Sequence, residues 1–163
     1  MKNISLVIAA ILIAVYLLQK GNETNMMLTC GSGTLDYRRL SYMMIHANLL
    51  HLIINLYTFL SLTFLCNARL MHFLIATIIA ATIPNVLLSN IPMCGISVLN
   101  YALTGLILFD SKKWFFLLLT NLAIAALGML FGGIAAVPHI YGLIVGFATS
   151  IIITLFTKPI FNE

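Results

Sequence analysis

The sequence predicts an all-α, polytopic membrane protein: a bundle of six transmembrane helices, the fourth of them short, with a polar outer-side first loop, in a single domain over residues 1–163. Three observations predict it. Of the 163 residues 62% are hydrophobic and only 7% are charged, where an ordinary soluble domain carries roughly 25% charged residues. The apolar residues fall into six runs, and about 20 such residues cross the hydrocarbon core of a bilayer. Lys and Arg are shared unevenly among the joints between the runs.

The first run, "ISLVIAAILIAVYLLQ" at 4–19, competes with a signal peptide because Lys2 precedes it. Its apolar core exceeds the usual ~7–15 residues and no A-x-A-like site follows, which favours a retained helix. Residues 20–41 contain "GNETN", "CGSGTLDYRR" and two of the four acidic residues, and read as an aqueous-side loop. The second run covers 47–66 and the third 70–88, with Pro84 placed to bend or end the latter. After the turn-rich "SNIPMCG", the fourth run spans 97–109, the fifth 114–132 and the sixth 139–157; "DSKK" and "GGIAAVP" are the remaining joints.

Six spans put Lys2, Arg69, Lys112, Lys113 and Lys158 on one side and Lys20, Arg38 and Arg39 on the other. Because cytoplasmic joints carry the excess of Lys and Arg, both termini are expected in the cytoplasm and the first, third and fifth loops outside. The net charge of +4 thus reports topology; the lipid bilayer is the expected partner, and nothing suggests nucleic acid.

Thirteen residues of helix in the fourth run rise only about 20 Å, against a hydrocarbon core of roughly 30 Å. Asp110, Lys112 and Lys113 hold its inner end at the interface, so Ser97 is expected below the outer surface. Irregular backbone at that depth survives only where protein or a water-filled cavity surrounds it, and a wet cavity at Ser97 is the expectation. His139 opens the sixth run, which enters from the same side. His51 and Asn55 are four apart, hence on one face of the second helix, which also starts outside. Four polar side chains converge at one level, and Tyr101, one turn below Ser97, is placed to pack under a histidine ring.

Elimination narrows the chemistry. The acidic residues are Glu23, Asp36, Asp110 and Glu163, all in loops or at the C-terminus, which excludes a paired-aspartate site within the membrane. His46 and His51 are five apart with no glutamate between them, about 140° apart on a helix, so the H-E-x-x-H zinc arrangement is absent and no metal or cofactor is expected. Serine with histidine, lacking a third carboxylate, is the hydrolytic arrangement left.

After its first helix the chain resembles the rhomboid intramembrane serine proteases. "YRRLSYMMIHANLLHLIINLYTFLSL" is similar to the family's W-R and H-x4-H-x3-N signature, here Tyr37-Arg38 and His46, His51 and Asn55. "GISVLNYALTG" resembles the region of the G-x-S-G nucleophile, with Gly95 ahead of Ser97, and "HIYGLIVGF" the H-x-x-G-x-x-x-G of the sixth helix. The resemblance implies a rhomboid-like bundle and a serine endopeptidase acting on transmembrane protein substrates. Ser97 would be the nucleophile, His139 its general base, and His51 and Asn55 oxyanion donors. Tyr101 would stack against the base, Gly142 and Gly146 would let the fourth and sixth helices approach closely, and Arg38 would be structural. The size suggests a minimal prokaryotic form in the plasma membrane, its site opening outward.

Plainer readings stand beside these. A serine at a helix start is commonly an N-cap, a G-x-x-x-G face commonly serves packing alone, and His51 and Asn55 are also suited to hydrogen bonds between helices. His46 and His72 read as structural or interfacial. Cys30 and Cys94 both fall on outer segments and would pair only in an oxidising compartment; free thiols are the expected state. "NET" at Asn22 matches a glycosylation sequon whose meaning depends on a secretory host. The chain departs from the family at Tyr37, at "TFLCNARLMHF", which lacks the glycine-and-glutamate pattern, and above all at Val98, where the motif has its second glycine. Val98 would either crowd the fourth helix against a neighbour or narrow the substrate's approach. A catalytically inactive rhomboid-like protein that binds membrane helices is therefore the alternative function.

Overall fold

The computed structural model describes residues 1–19, 29–30, 36–88, 93–108, 114–130 and 136–157. Within them regular structure is helical, apart from one bridge between Cys30 and Met93. The helices are α1 (Lys2–Gln19), α2 (Arg38–Ser41), α3 (Leu49–Phe64), α4 (Leu70–Ala81), α5 (Ser97–Ile107), α6 (Trp114–Leu130) and α7 (Ala136–Thr157), with 3-10 turns at Tyr42–Met44 and Asn85–Leu87. The sequon at Asn22, the joints at 109–113 and 131–135, residues 89–92 of the third connection and Lys158 lie outside the described residues.

Six apolar helices, α1 and α3 to α7, stand where the six runs were read. By length and composition α1 and residues Ala136–Phe156 of α7 are each able to cross a bilayer unaided, while α4 and α5 are shorter apolar helices. Many large side chains that face away from the bundle are apolar, among them Leu17, Leu18, Tyr57, Ile78, Phe116 and Phe156. An apolar coat of this kind has a natural solvent in lipid and none in water.

Helix α5 is the axis of the bundle. All ten residues from Val98 to Ile107 are buried, with α7 its principal neighbour and α3, α4 and α6 around it. Its 11 residues rise about 16 Å, shorter still than the sequence suggests. One face of α7 (His139, Gly142, Leu143, Gly146, Ser150) is buried, with each residue three or four positions from another of the set, so that a single stripe turns inward.

Three boundaries differ from expectation for identifiable reasons. Helix α4 ends at Ala81, seven residues early, because Pro84 disfavours helical backbone at Ile83 and carries no N–H for the carbonyl of Ala80. The buried Tyr42 hydroxyl donates to that carbonyl instead, at 3.0 Å. Helix α7 begins at Ala136 rather than His139: Pro138 falls in its first turn, where its missing N–H would have had no helical partner. The stretch up to Ser41, expected to be loop, contains α2, which with the following turn meets α3 at 98°. Four residues are too few to show a periodicity. This segment is fastened at its far side, where Arg39 donates to Ile83 O and Asn85 Oδ1.

Candidate active site

The approach to Ser97 is fixed by backbone pairing before any side chain acts. Cys30 N–H donates to Met93 O at 3.1 Å and Met93 N–H to Cys30 O at 2.6 Å, while Gly95 N–H donates to Tyr42 O at 2.8 Å. The first loop thus holds the segment entering α5 at two points. No disulfide links Cys30, Cys66 and Cys94: the bridge sets Cys30 beside Met93, and the alternation of extended backbone turns Cys94 to the opposite face.

Gly95 has φ +99°, a conformation that side-chain-bearing residues rarely adopt. A Cβ there would lie 2.7 Å from His51 Cε1, 2.9 Å from His51 Nε2 and 3.4 Å from Asn55 Nδ2. His51 and Asn55 therefore converge on the bare backbone two residues ahead of Ser97. Helix α3, which carries them, is capped by Asn48, whose Oδ1 accepts His51 N–H at 2.8 Å. Ala47 N–H makes a long hydrogen bond of 3.4 Å to His51 Nδ1. An accepting Nδ1 leaves the ring proton on Nε2, the nitrogen at the Gly95 side. Asn55 is buried and donates from Nδ2 to His51 O at 3.0 Å.

Ser97 is the first residue of α5 and not its cap, a position held by Ile96. Its Oγ lies 2.7 Å from His139 Nε2, 42 positions along the chain. His139 is buried, and the Tyr101 ring stands against it with centroids 4.9 Å apart and planes at 55°. The Tyr101 hydroxyl donates to Asn121 O of α6 at 2.9 Å, which fixes the ring from behind. Around the serine Gly95, Ile96 and Val98 are buried and Ser97 is half-buried.

Close approach of α5 and α7 brings Ser97 and His139 together. A Cβ on Gly142 would come within 2.8 Å of Val98 O, and one on Gly146 would overlap the Ala102 carbonyl. Gly105 answers from α5, where a Cβ would strike the backbone of Leu143 and Phe147. The seam needs small residues on both helices, and only its α7 half, Gly142 and Gly146, was singled out from the sequence. Val98 belongs to this seam. Its side chain is 2% exposed and Cγ1 lies 3.3 Å from where a Gly142 side chain would begin. Of its two expected effects, crowding a neighbouring helix is the relevant one, and the absence of a side chain at Gly142 accommodates it.

The other candidates sit apart from the serine. Arg38 is half-buried and forms an ion pair with Asp36, donating at 2.9 Å from both Nε and Nη2. The guanidinium holds the Asp36 carboxyl below its usual range. Tyr37 is exposed. His72 Nδ1 accepts Arg69 N–H at 3.3 Å at the start of α4. His46 is buried with its ring 5.2 Å from that of His51. No group of three or more metal-ligating side chains occurs among the described residues.

Two polar residues escaped the sequence reading. Asn121 donates from Nδ2 to Leu117 O of its own helix at 2.8 Å and reaches Thr104 Oγ1 of α5 at 3.5 Å, while its main-chain O receives Tyr101. Asn100 is 2% exposed and donates from Nδ2 to Asn55 O at 3.0 Å and Asn55 Oδ1 at 3.4 Å. The available signal was an amide inside an otherwise apolar run, which in a membrane helix commonly bonds to another helix.

A family model described as Rhomboid domain matches residues 36–156. No curated protein matches the chain. The matched region takes in the first-loop segment, the glycine turn ahead of Ser97 and the α5–α7 seam, and the fold it describes is polytopic and membrane-embedded, as the apolar coat requires; the chain belongs to the rhomboid family.

Proposed function

We propose that this protein is an intramembrane serine endopeptidase that hydrolyses peptide bonds in or near transmembrane segments of other membrane proteins. The observation that carries the reading is the 2.7 Å contact between Ser97 Oγ and His139 Nε2, made beside a glycine turn on which His51 and Asn55 converge. In this reading the Ser97 hydroxyl donates to His139 Nε2, which takes its proton as the oxygen attacks the scissile carbonyl. The tetrahedral oxyanion accepts from His51 Nε2–H, Asn55 Nδ2–H and backbone N–H groups near Ser97, one such donor being worth about 3 kcal/mol. His139 then passes its proton to the leaving amine, and water releases the acyl group. With no carboxylate assigned to orient the base, the Tyr101 ring takes that part, its negative face favouring the imidazolium as it forms.

The substrate must unwind locally, because a helix hides its peptide bonds, so small or helix-breaking residues are expected near the cut. The molecule acts as one membrane domain with both termini in the cytoplasm and the site toward the outer face of a prokaryotic plasma membrane. A catalytically silent, helix-binding role drew its support from Val98, and the packing of Val98 on Gly142 weakens that support. The test is hydrolysis of a model transmembrane substrate in detergent or proteoliposomes: the parent cuts it, and Ser97→Ala and His139→Ala do not. A parent that leaves every such substrate intact refutes the proposal.

A further inference from the structure

We infer that Asn100 is a positioning residue for oxyanion stabilisation: it fixes which way round the Asn55 amide sits. The inference rests on the hydrolytic reading above. An Asn side chain offers two donors on one side and two acceptor lone pairs on the other, and a 180° turn about its last bond exchanges them. Asn55 points a hydrogen toward the Gly95 turn only if its Nδ2, and not its Oδ1, is on that side.

One end of that amide is held by the main-chain O of His51, which accepts from Asn55 Nδ2 at 3.0 Å, and the contacts around Asn100 hold the other end the same way round. Asn100 Nδ2 faces two acceptors of the same residue, the main-chain O of Asn55 at 3.0 Å and its Oδ1 at 3.4 Å. Turning Asn100 over would set its own Oδ1 against the Asn55 carbonyl, an acceptor that cannot move because it belongs to α3. Asn100 is thus held donor-outward, and it in turn requires an acceptor at the side-chain position of Asn55 that it meets. With Oδ1 there, Asn55 Nδ2 is left to donate one hydrogen to His51 O at 3.0 Å and to lie 3.4 Å from the position of a Gly95 Cβ. The acceptor side of Asn100 gains nothing in exchange: its Oδ1 is buried with no hydrogen-bond partner among the described residues. Leaving a buried acceptor unmade is unfavourable, so an amide at this place in the core is accounted for by what its donors do.

The test compares fluorophosphonate labelling rates of Ser97 in the parent, Asn100→Leu, Asn55→Ala and the double variant. The probe's phosphonyl oxygen occupies the oxyanion position, and leucine matches asparagine in length without a donor. Loss of an oxyanion donor costs about 10²-fold, and loss of one hydrogen bond that holds it costs about tenfold. The expected result is that Asn100→Leu slows labelling about tenfold in the parent background and less than twofold in the Asn55→Ala background, with kcat for peptide cleavage falling and KM unchanged. An equal loss in both backgrounds would mean that Asn100 acts through general packing and would overturn the inference, as would a loss below twofold in the parent. If Asn100→Leu does not fold, Asn100→Ser, which is too short to reach Asn55 Oδ1, carries the same expectation. A parent that neither labels nor cleaves removes the hydrolytic reading and this inference together. An active parent that needs Asn55 but not Asn100 removes this inference alone.

Discussion

Replacing Val98 by glycine restores the residue that the family motif carries and asks what the valine does. Its side chain is 2% exposed and is turned to the α7 seam, with Cγ1 3.3 Å from where a Gly142 side chain would begin. Substitution removes three buried carbons. At about 1 kcal/mol for each buried methyl or methylene group lost, the void costs about 3 kcal/mol, and the lower helix propensity of glycine adds about 0.4 kcal/mol. For a chain of this size that lowers the apparent melting temperature in detergent by about 7–14 °C. Well below the transition, fluorophosphonate labelling and substrate cleavage should stay within about threefold of the parent, because the valine faces α7 and not the Gly95 turn. Thermal scans and initial rates on the same preparations check both halves. A glycine variant that is at least tenfold faster with an unmoved melting temperature would refute the reasoning and show that Val98 obstructs the substrate.

Three further substitutions probe separate parts of the architecture. Gly95→Ala forces a Cβ within 2.7 Å of His51 Cε1 at a φ of +99°; labelling should fall about 10²-fold or more with helix content by circular dichroism unchanged, and a normal rate would contradict the placement of His51. Gly142→Ala meets its nearest obstacle at Val98 O, a backbone atom, so it should destabilise by about 1–3 kcal/mol, and adding Val98→Gly should not rescue it; full rescue in thermal scans would contradict the seam as described. Tyr42→Phe removes the donor to Ala80 O and should cost about 1–3 kcal/mol. In a Pro84→Ala background, where a backbone N–H becomes available, a double-mutant cycle should find that cost reduced; equal costs would separate the tyrosine from the proline.

The sequence carries this fold well because lipid imposes a simple grammar. Runs of apolar residues can only be helices, and all six were legible from composition and length. Pro84 was read as a bend or an end, but where α4 stops depends also on Tyr42, whose hydroxyl, 38 positions before Ala80, takes the place of the missing N–H. The meeting of Ser97 and His139 was legible because each stands in the first turns of its helix, and the four-residue spacing of His51 and Asn55 places them on a common face. What could not be read is what lies between elements. The half of the seam on α5, Ala102 and Gly105, looks like ordinary apolar sequence until α7 is laid against it. Asn100 and Asn121 acquire meaning only through partners 45 and 17 positions away. Val98 looked like an obstruction because its direction, toward Gly142, is a property of helix packing and not of the motif.

The central claim is that the Ser97 hydroxyl, with His139 as its base, is the reactive group. The most direct measurement is peptide mass spectrometry of the full-length protein after reaction with a fluorophosphonate, beside Ser97→Ala and His139→Ala. A single adduct is expected on the peptide containing Ser97, absent in Ser97→Ala and formed at least about 10³-fold more slowly in His139→Ala. An adduct on another residue, or equal labelling of the parent and both variants, would contradict it.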